Sequence, residues 1–106
     1  MRQFHPGELK NYLEAGNAPL LLDVREPWEF DICRIDGSRL VPMRQIPQAA
    51  EQLDPEQEIV VICHHGIRSF QVCRYLATEL GFSNLVNLAG GMAAWARDVD
   101  PQMPTY

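Results

Sequence analysis

Ile59-Val60-Val61-Ile62-Cys63-His64-His65-Gly66-Ile67-Arg68-Ser69 leaves this chain few ways to fold. Four unbroken β-branched residues read as a strand covered on both faces, and helical spacing starts at Arg68. A short polar loop with Gly66 at its middle must therefore turn a buried strand into a helix. Cys63 then stands at the carboxyl end of the strand, facing the first turn of the helix, where unpaired backbone N–H groups converge. Such a position suits an anion on sulfur.

The rest of the chain repeats this alternation. Residues 6 to 15 open on proline, carry Leu9, Tyr12 and Leu13 on one face and close at Gly16, which predicts a first helix. Leu20 to Val24 reads as a buried strand, Trp28 to Ile32 as a short helix after Pro27, and Arg39 to Val41 as a brief strand after the turn Asp36-Gly37-Ser38. Met43 to Leu53 is helical but interrupted by Pro47, and 54–58 is a polar connector. Val72, Cys73, Leu76, Ala77 and Leu80 make Arg68 to Leu80 the strongest helix, ended by Gly81. Leu85 to Leu88 is another strand, Gly90-Gly91 permits a tight entry into a helix over Met92 to Arg97, and 99–106, with Pro101 and Pro104, is expected to be extended.

Short apolar runs alternating with helical patterns predict an α/β fold, a central and mainly parallel sheet with helices on both faces. Ligands bind such sheets beyond the carboxyl ends of the strands. Asp23, Arg25 and Glu29 fall at that edge and form the other side of a pocket facing Cys63. At 106 residues the chain is read as one domain, with a core of about residues 1–98 and a tail of 99–106.

A net charge of −5 without a basic stripe argues against a nucleic-acid partner. No apolar run approaches the roughly 20 residues of a membrane span, and the first residues have no apolar signal core, so no membrane partner and a cytoplasmic location are expected. Three cysteines, an odd number, point to free thiols rather than a disulfide framework. Cys33, Cys63 and Cys73 lack zinc-ligand spacing, and no metal or organic cofactor is expected.

A thiol titrates near pH ~8.5 and becomes a good nucleophile once ionised. The helix terminus, inward-facing loop amides and the Arg68 cation all favour the thiolate of Cys63. Gly66 allows the tight loop a positive φ or a close backbone approach. Ser69 can accept a bond from an early helix N–H or donate one to the sulfur. An anionic sulfur in a ring of amides can attack phosphate, or attack a sulfane sulfur and keep it as a persulfide. Loop length decides, because tetrahedral phosphate needs a wider ring. Four residues separate Cys63 from Arg68, one short of the Cys-x5-Arg spacing of cysteine phosphatases.

Leu21-Leu22-Asp23-Val24-Arg25-Glu26-Pro27-Trp28-Glu29-Phe30, Ile35-Asp36-Gly37-Ser38 with Pro42, the loop Cys63 to Ser69, and Leu88-Ala89-Gly90-Gly91 with Trp95 together resemble the rhodanese (sulfurtransferase) homology domain. The resemblance covers nearly the whole chain in the right order. It implies a three-layer fold with a five-stranded core, and a cysteine that takes sulfur from a small donor such as thiosulfate and passes it to cyanide or a thiol. By position Cys63 is the sulfur-bearing nucleophile, and His64, His65, Gly66, Ile67, Arg68 and Ser69 form the cradle. The alternative is a carrier module loaded by a protein partner, a cysteine desulfurase, with little thiosulfate turnover; a phosphatase ranks third. The ending, Trp95 to Tyr106, is also similar to the tails of rhodanese domains that work with ubiquitin-like sulfur carriers, so a protein sulfur donor or acceptor is a further expected partner.

The chain departs from the family pattern twice. Cys33-Arg34 stands where Gly-His is usual, and His64-His65 where arginine or lysine often follows the cysteine. If the histidines titrate near neutrality, affinity for thiosulfate falls as pH rises past ~6.5. His64 and His65 are otherwise solvated loop residues. Arg68, at a helix start, is expected to meet an anion or a carboxylate. Arg25 is expected to pair with Glu29 or Asp23 and fix the sheet-edge loops. Cys73 reads as core, Cys33 as a partly exposed, incidental thiol with a resolving role as the alternative, and Trp28 and Trp95 as core anchors.

Overall fold

The computed structural model describes residues 1–106. In chain order it contains β1 (Arg2–Phe4), α1 (Pro6–Glu14), β2 (Leu20–Asp23), α2 (Pro27–Ile32), β3 (Arg39–Leu40), α3 (Ile46–Ala49) flanked by 3₁₀ turns at Met43–Gln45 and Ala50–Gln52, β4 (Ile59–Ile62), α4 (Ile67–Leu80), β5 (Leu85–Leu88) and α5 (Gly91–Asp98). The strands form one five-stranded sheet in the order β1-β5-β4-β2-β3. Every pairing in it is parallel.

Alternation along β4 explains its unbroken apolar run. Ile59, Val61 and Cys63 point into a core layer with Val72, Cys73 and Leu76 of α4, Ile46 of α3, and Leu22 and Val24. Val60 and Ile62 point the opposite way, into a layer with Leu9 of α1, Met92 and Trp95 of α5, Val86 and Leu88. All four β4 residues are fully buried. A strand covered on both faces favours apolar side chains throughout, and β4 carries no others.

Some expectations change. β1 has no counterpart in the sequence reading: its three residues are mostly exposed, and parallel pairing with β5 at the sheet edge holds them there. The 43–53 segment is a chain of short helical turns because Pro47 allows no single longer helix. Trp28 is 58% exposed and is no core anchor, whereas Trp95 is buried. On α2, a helix of little more than one turn, the buried face belongs to Glu29. Cys33 is buried rather than partly exposed. The 99–106 tail turns at 101–103 and comes back to place Tyr106 against His64 and Trp28. No helix is long and apolar enough to cross a membrane.

Candidate active site

β4 ends where Cys63 begins the loop, and the loop closes on its own sulfur. Cys63 Sγ accepts the backbone N–H of Gly66 at 3.1 Å and of Ser69 at 3.3 Å, and its thiol donates to Ser69 Oγ at 3.3 Å. The side chain is 1% exposed. The turn that aims these amides inward depends on Gly66, at φ +90°. A Cβ there would also stand 3.0 Å from Gly90 N and 3.2 Å from the Leu88 carbonyl, so conformation and space both demand glycine.

The back of the loop is held by the start of α5. Met92 N–H donates to the Cys63 carbonyl at 2.8 Å and Ala93 N–H to the His64 carbonyl at 3.0 Å. Gly91 makes this approach feasible, since a Cβ on it would lie 2.3 Å from the Cys63 carbonyl oxygen. With two loop carbonyls tied to helix amides behind, the loop's own amides are free to face the sulfur.

Arg68 is not a free cation. Its guanidinium makes two bonds to Glu29, at 2.7 and 2.8 Å. No carboxylate lies near it in the sequence, and α2 supplies one across the sheet edge. Glu29 also accepts from the Glu26 N–H and from the Tyr106 hydroxyl at 2.9 Å. The Arg68 bonds, more than the others, bring its pKa down from 4.5 to about 2 against the opposing effect of burial. Arg68 is raised in turn, chiefly by the same bond.

Asp23 and Arg25 form a separate, fully buried pair, joined at 2.8 Å. The rest of the Arg25 guanidinium donates to the carbonyls of Cys33 at 2.6 Å and Glu29 at 3.2 Å, to Cys33 Sγ at 3.8 Å and to the Tyr106 hydroxyl at 2.9 Å. Burial works against this charge, but the Asp23 carboxylate and Tyr106 outweigh it and the guanidinium is held more firmly protonated. A buried charge so fully bonded is a strut for the loops around it.

The Tyr106 hydroxyl bridges the two ion pairs, accepting from Arg25 and donating to Glu29. Burial chiefly, with the bond to Glu29, raises its pKa to about 12, so it stays protonated as the donor. Its ring stacks on His64 with centroids 4.2 Å apart, and His65 meets His64 edge-on at 4.1 Å. A cavity of about 110 Å³ adjoins them, lined by Cys33, His64, Met92, Ala93, Thr105 and Tyr106. His64 Nδ1 is buried without a partner. Burial chiefly, and the neighbouring His65, lower the His64 pKa below 6.5, so at neutral pH it is uncharged and any pH effect through it falls below that value.

Gly66 and Ser69 are thus brought onto the sulfur, while Arg68, Glu29, Arg25 and Asp23 form a frame beside it. His65 is exposed and Ile67, 68% exposed, points away. Cys73 lies in the core, where burial raises its thiol to about 12. Two site residues escaped the sequence reading, Tyr106 and Asn87. Asn87 left a trace, a polar residue inside the apolar run Leu85 to Leu88. Tyr106 left none in periodicity or spacing.

The Rhodanese-like domain family model matches residues 5–98. The chain is 38% identical over 102 residues to the putative sulfurtransferase YtwF of Bacillus subtilis, covering 96% of this chain and 97% of that one. It is 37% identical over 103 residues to the probable adenylyltransferase/sulfurtransferase MoeZ of Mycobacterium tuberculosis, covering 95% of this chain and 26% of the relative, so it spans about a quarter of that longer protein. The crystal structure of a rhodanese-like domain protein from Staphylococcus aureus superposes with a TM-score of 0.82 at 33% identity, covering 90% of this chain and 91% of that one.

Proposed function

Because the chain belongs to the rhodanese-like domain family, with relatives named as sulfurtransferases, we propose that Cys63 carries sulfur as a persulfide. The thiolate attacks the outer sulfur of a donor such as thiosulfate. A Cys63 S–S bond forms, the bond to the sulfonate sulfur breaks, and sulfite leaves with the bonding pair. A nucleophile, cyanide or a thiol, then attacks the outer sulfur, and Cys63 departs as thiolate. The supporting observation is the amide pair on Cys63 Sγ in a loop of four residues between Cys63 and Arg68, a cradle sized for sulfur. These preorganised N–H groups stabilise negative charge without rearranging. Asp23, Arg25 and Glu29 hold the frame, and the reaction as written draws on no cofactor.

Mass spectrometry after incubation with thiosulfate tests this reading. The expected result is a gain of one sulfur atom, removed by cyanide and missing in Cys63→Ala; a gain that persists in that variant, or none in the parent chain, overturns it.

One observation favours the carrier reading, in which a protein partner loads Cys63. Arg68 is neutralised by Glu29 and His64 is uncharged at neutral pH, so little cationic charge is left to draw in a dianion. The pairing of adenylyltransferase and sulfurtransferase in the name of the longer mycobacterial relative also fits transfer to an activated protein acceptor. Loading by a cysteine desulfurase together with negligible thiosulfate turnover would select this alternative.

A further inference from the structure

Asn87 is 2% exposed in the middle of β5, and its hydrogen bonds leave it one orientation. The Gly66 carbonyl can only accept, so the Asn87 amide nitrogen must face it, at 3.2 Å; the second amide proton goes to Gln3 Oε1, also at 3.2 Å. Oδ1 is thereby turned toward Ser69, whose hydroxyl donates to it in a short hydrogen bond. A hydroxyl has one proton. Ser69 therefore presents a lone pair to Cys63 Sγ, 3.3 Å away, an arrangement that suits a neutral thiol donating to Ser69. A thiolate needs donors.

We propose that Asn87 is a positioning residue for the sulfur chemistry: it holds the Ser69 proton away from Cys63 in the resting thiol and yields it to the sulfur when Cys63 ionises. The proposal rests on the reading of Cys63 as the nucleophile. On ionisation the thiol proton leaves to a solvent base. The Ser69 hydroxyl then turns, moving its hydrogen bond from Asn87 Oδ1 to Sγ, and no covalent bond changes in the turn. The sulfur gains a third donor beside the Gly66 and Ser69 amides. Asn87 Oδ1 is left against an oxygen lone pair, which opposes the ionised state. Once Sγ is bonded to a second sulfur it no longer carries the charge, and the serine proton returns to Asn87. Ser69 and Asn87 thus follow the charge on Sγ through the cycle.

The test is a double-mutant cycle read by the rate of Cys63 alkylation with iodoacetamide at pH 7, without sulfur donor, resolved from Cys33 and Cys73 by peptide mass. In the Asn87→Ala background the serine proton is free for the sulfur, so adding Ser69→Ala slows alkylation about tenfold, the worth of one hydrogen bond to a charged acceptor. With Asn87 present, where the same proton must first leave Oδ1, Ser69→Ala slows alkylation several-fold less than it does in the Asn87→Ala background. The Gly66 anchor is lost in both members of the Asn87 pair and cancels. Asn87→Leu, closer to asparagine in volume, is run in parallel, with thermal unfolding to show which variant folds. Equal effects of Ser69→Ala in the two backgrounds overturn the proposal while leaving persulfide formation to its own measurement. A coupled cycle in a chain that takes up no sulfur upholds the Asn87 role and overturns the persulfide reading.

Discussion

Two hydrogen bonds from Arg68 to Glu29 tie the start of α4 to α2. An arginine at a helix start has little reason to be there unless something anionic meets it, which was readable. That the anion is Glu29, 39 positions earlier, was not, because a pair joined only by the fold leaves no local pattern. The same holds for Asn87 with Ser69 and for Tyr106 with Glu29. The Glu29 bond has a consequence for stability. A carboxyl whose pKa falls from 4.5 to about 2 on folding stabilises the fold in its ionised form. That contribution is complete above about 4.5, is lost as pH falls toward about 2, and amounts to something on the order of 3 kcal/mol. Urea unfolding of Glu29→Gln against the parent should therefore show a constant gap between about pH 5 and 7 that closes as the pH is lowered through about 4. A gap of the same size at about pH 3 would mean that the carboxylate charge is not what Arg68 holds.

At the scale of elements, strand, loop and helix from Ile59 to Leu80 were legible because burial on both faces, the glycine and the helical spacing all agree. Trp28 reads as a core anchor yet lies exposed, because apolarity alone does not say which side of so short a helix turns inward. The Gly90-Gly91 pair marks a tight entry into α5 in the sequence; its further use, gripping the carbonyls of Cys63 and His64, lies between elements and is invisible along the chain. Gly91 and Gly37 separate these two demands. Both have positive φ, +59° and +84°, but a Cβ on Gly37 meets nothing, while on Gly91 it strikes the Cys63 carbonyl and the His64 backbone. Gly37→Ala should cost about 1 kcal/mol, the strain of a left-handed alanine. Gly91→Ala should cost more than about 3 kcal/mol, because backbone rather than a flexible side chain must give way. Denaturant midpoints of the two variants measure the difference, and equal values would show that α5 does not clamp the loop.

Across the whole molecule, the sheet order β1-β5-β4-β2-β3 puts the loop-bearing strand at the centre and the two shortest strands at the edges. The α/β alternation announced this layout. β1 was silent because a mostly exposed three-residue edge strand carries no apolar run. Hydrogen exchange should mirror this order. The amides of Val60, Val61 and Ile62 in β4 should exchange only through global unfolding, while those of β1 and β3 open locally and exchange at least about tenfold faster. Equal protection across the sheet would contradict a stability centred on β4. The strand that ends at Cys63 is buried on both faces, so the position of its sulfur is tied to the most protected part of the sheet.

His65 and Ile67 sit within the loop but turn their side chains to solvent and make no bond to the sulfur, which backbone amides hold instead. Substitution of these two side chains therefore leaves the amides on Cys63 Sγ in place. They are the loop positions that a randomised library can vary while the sulfur keeps its hydrogen bonds.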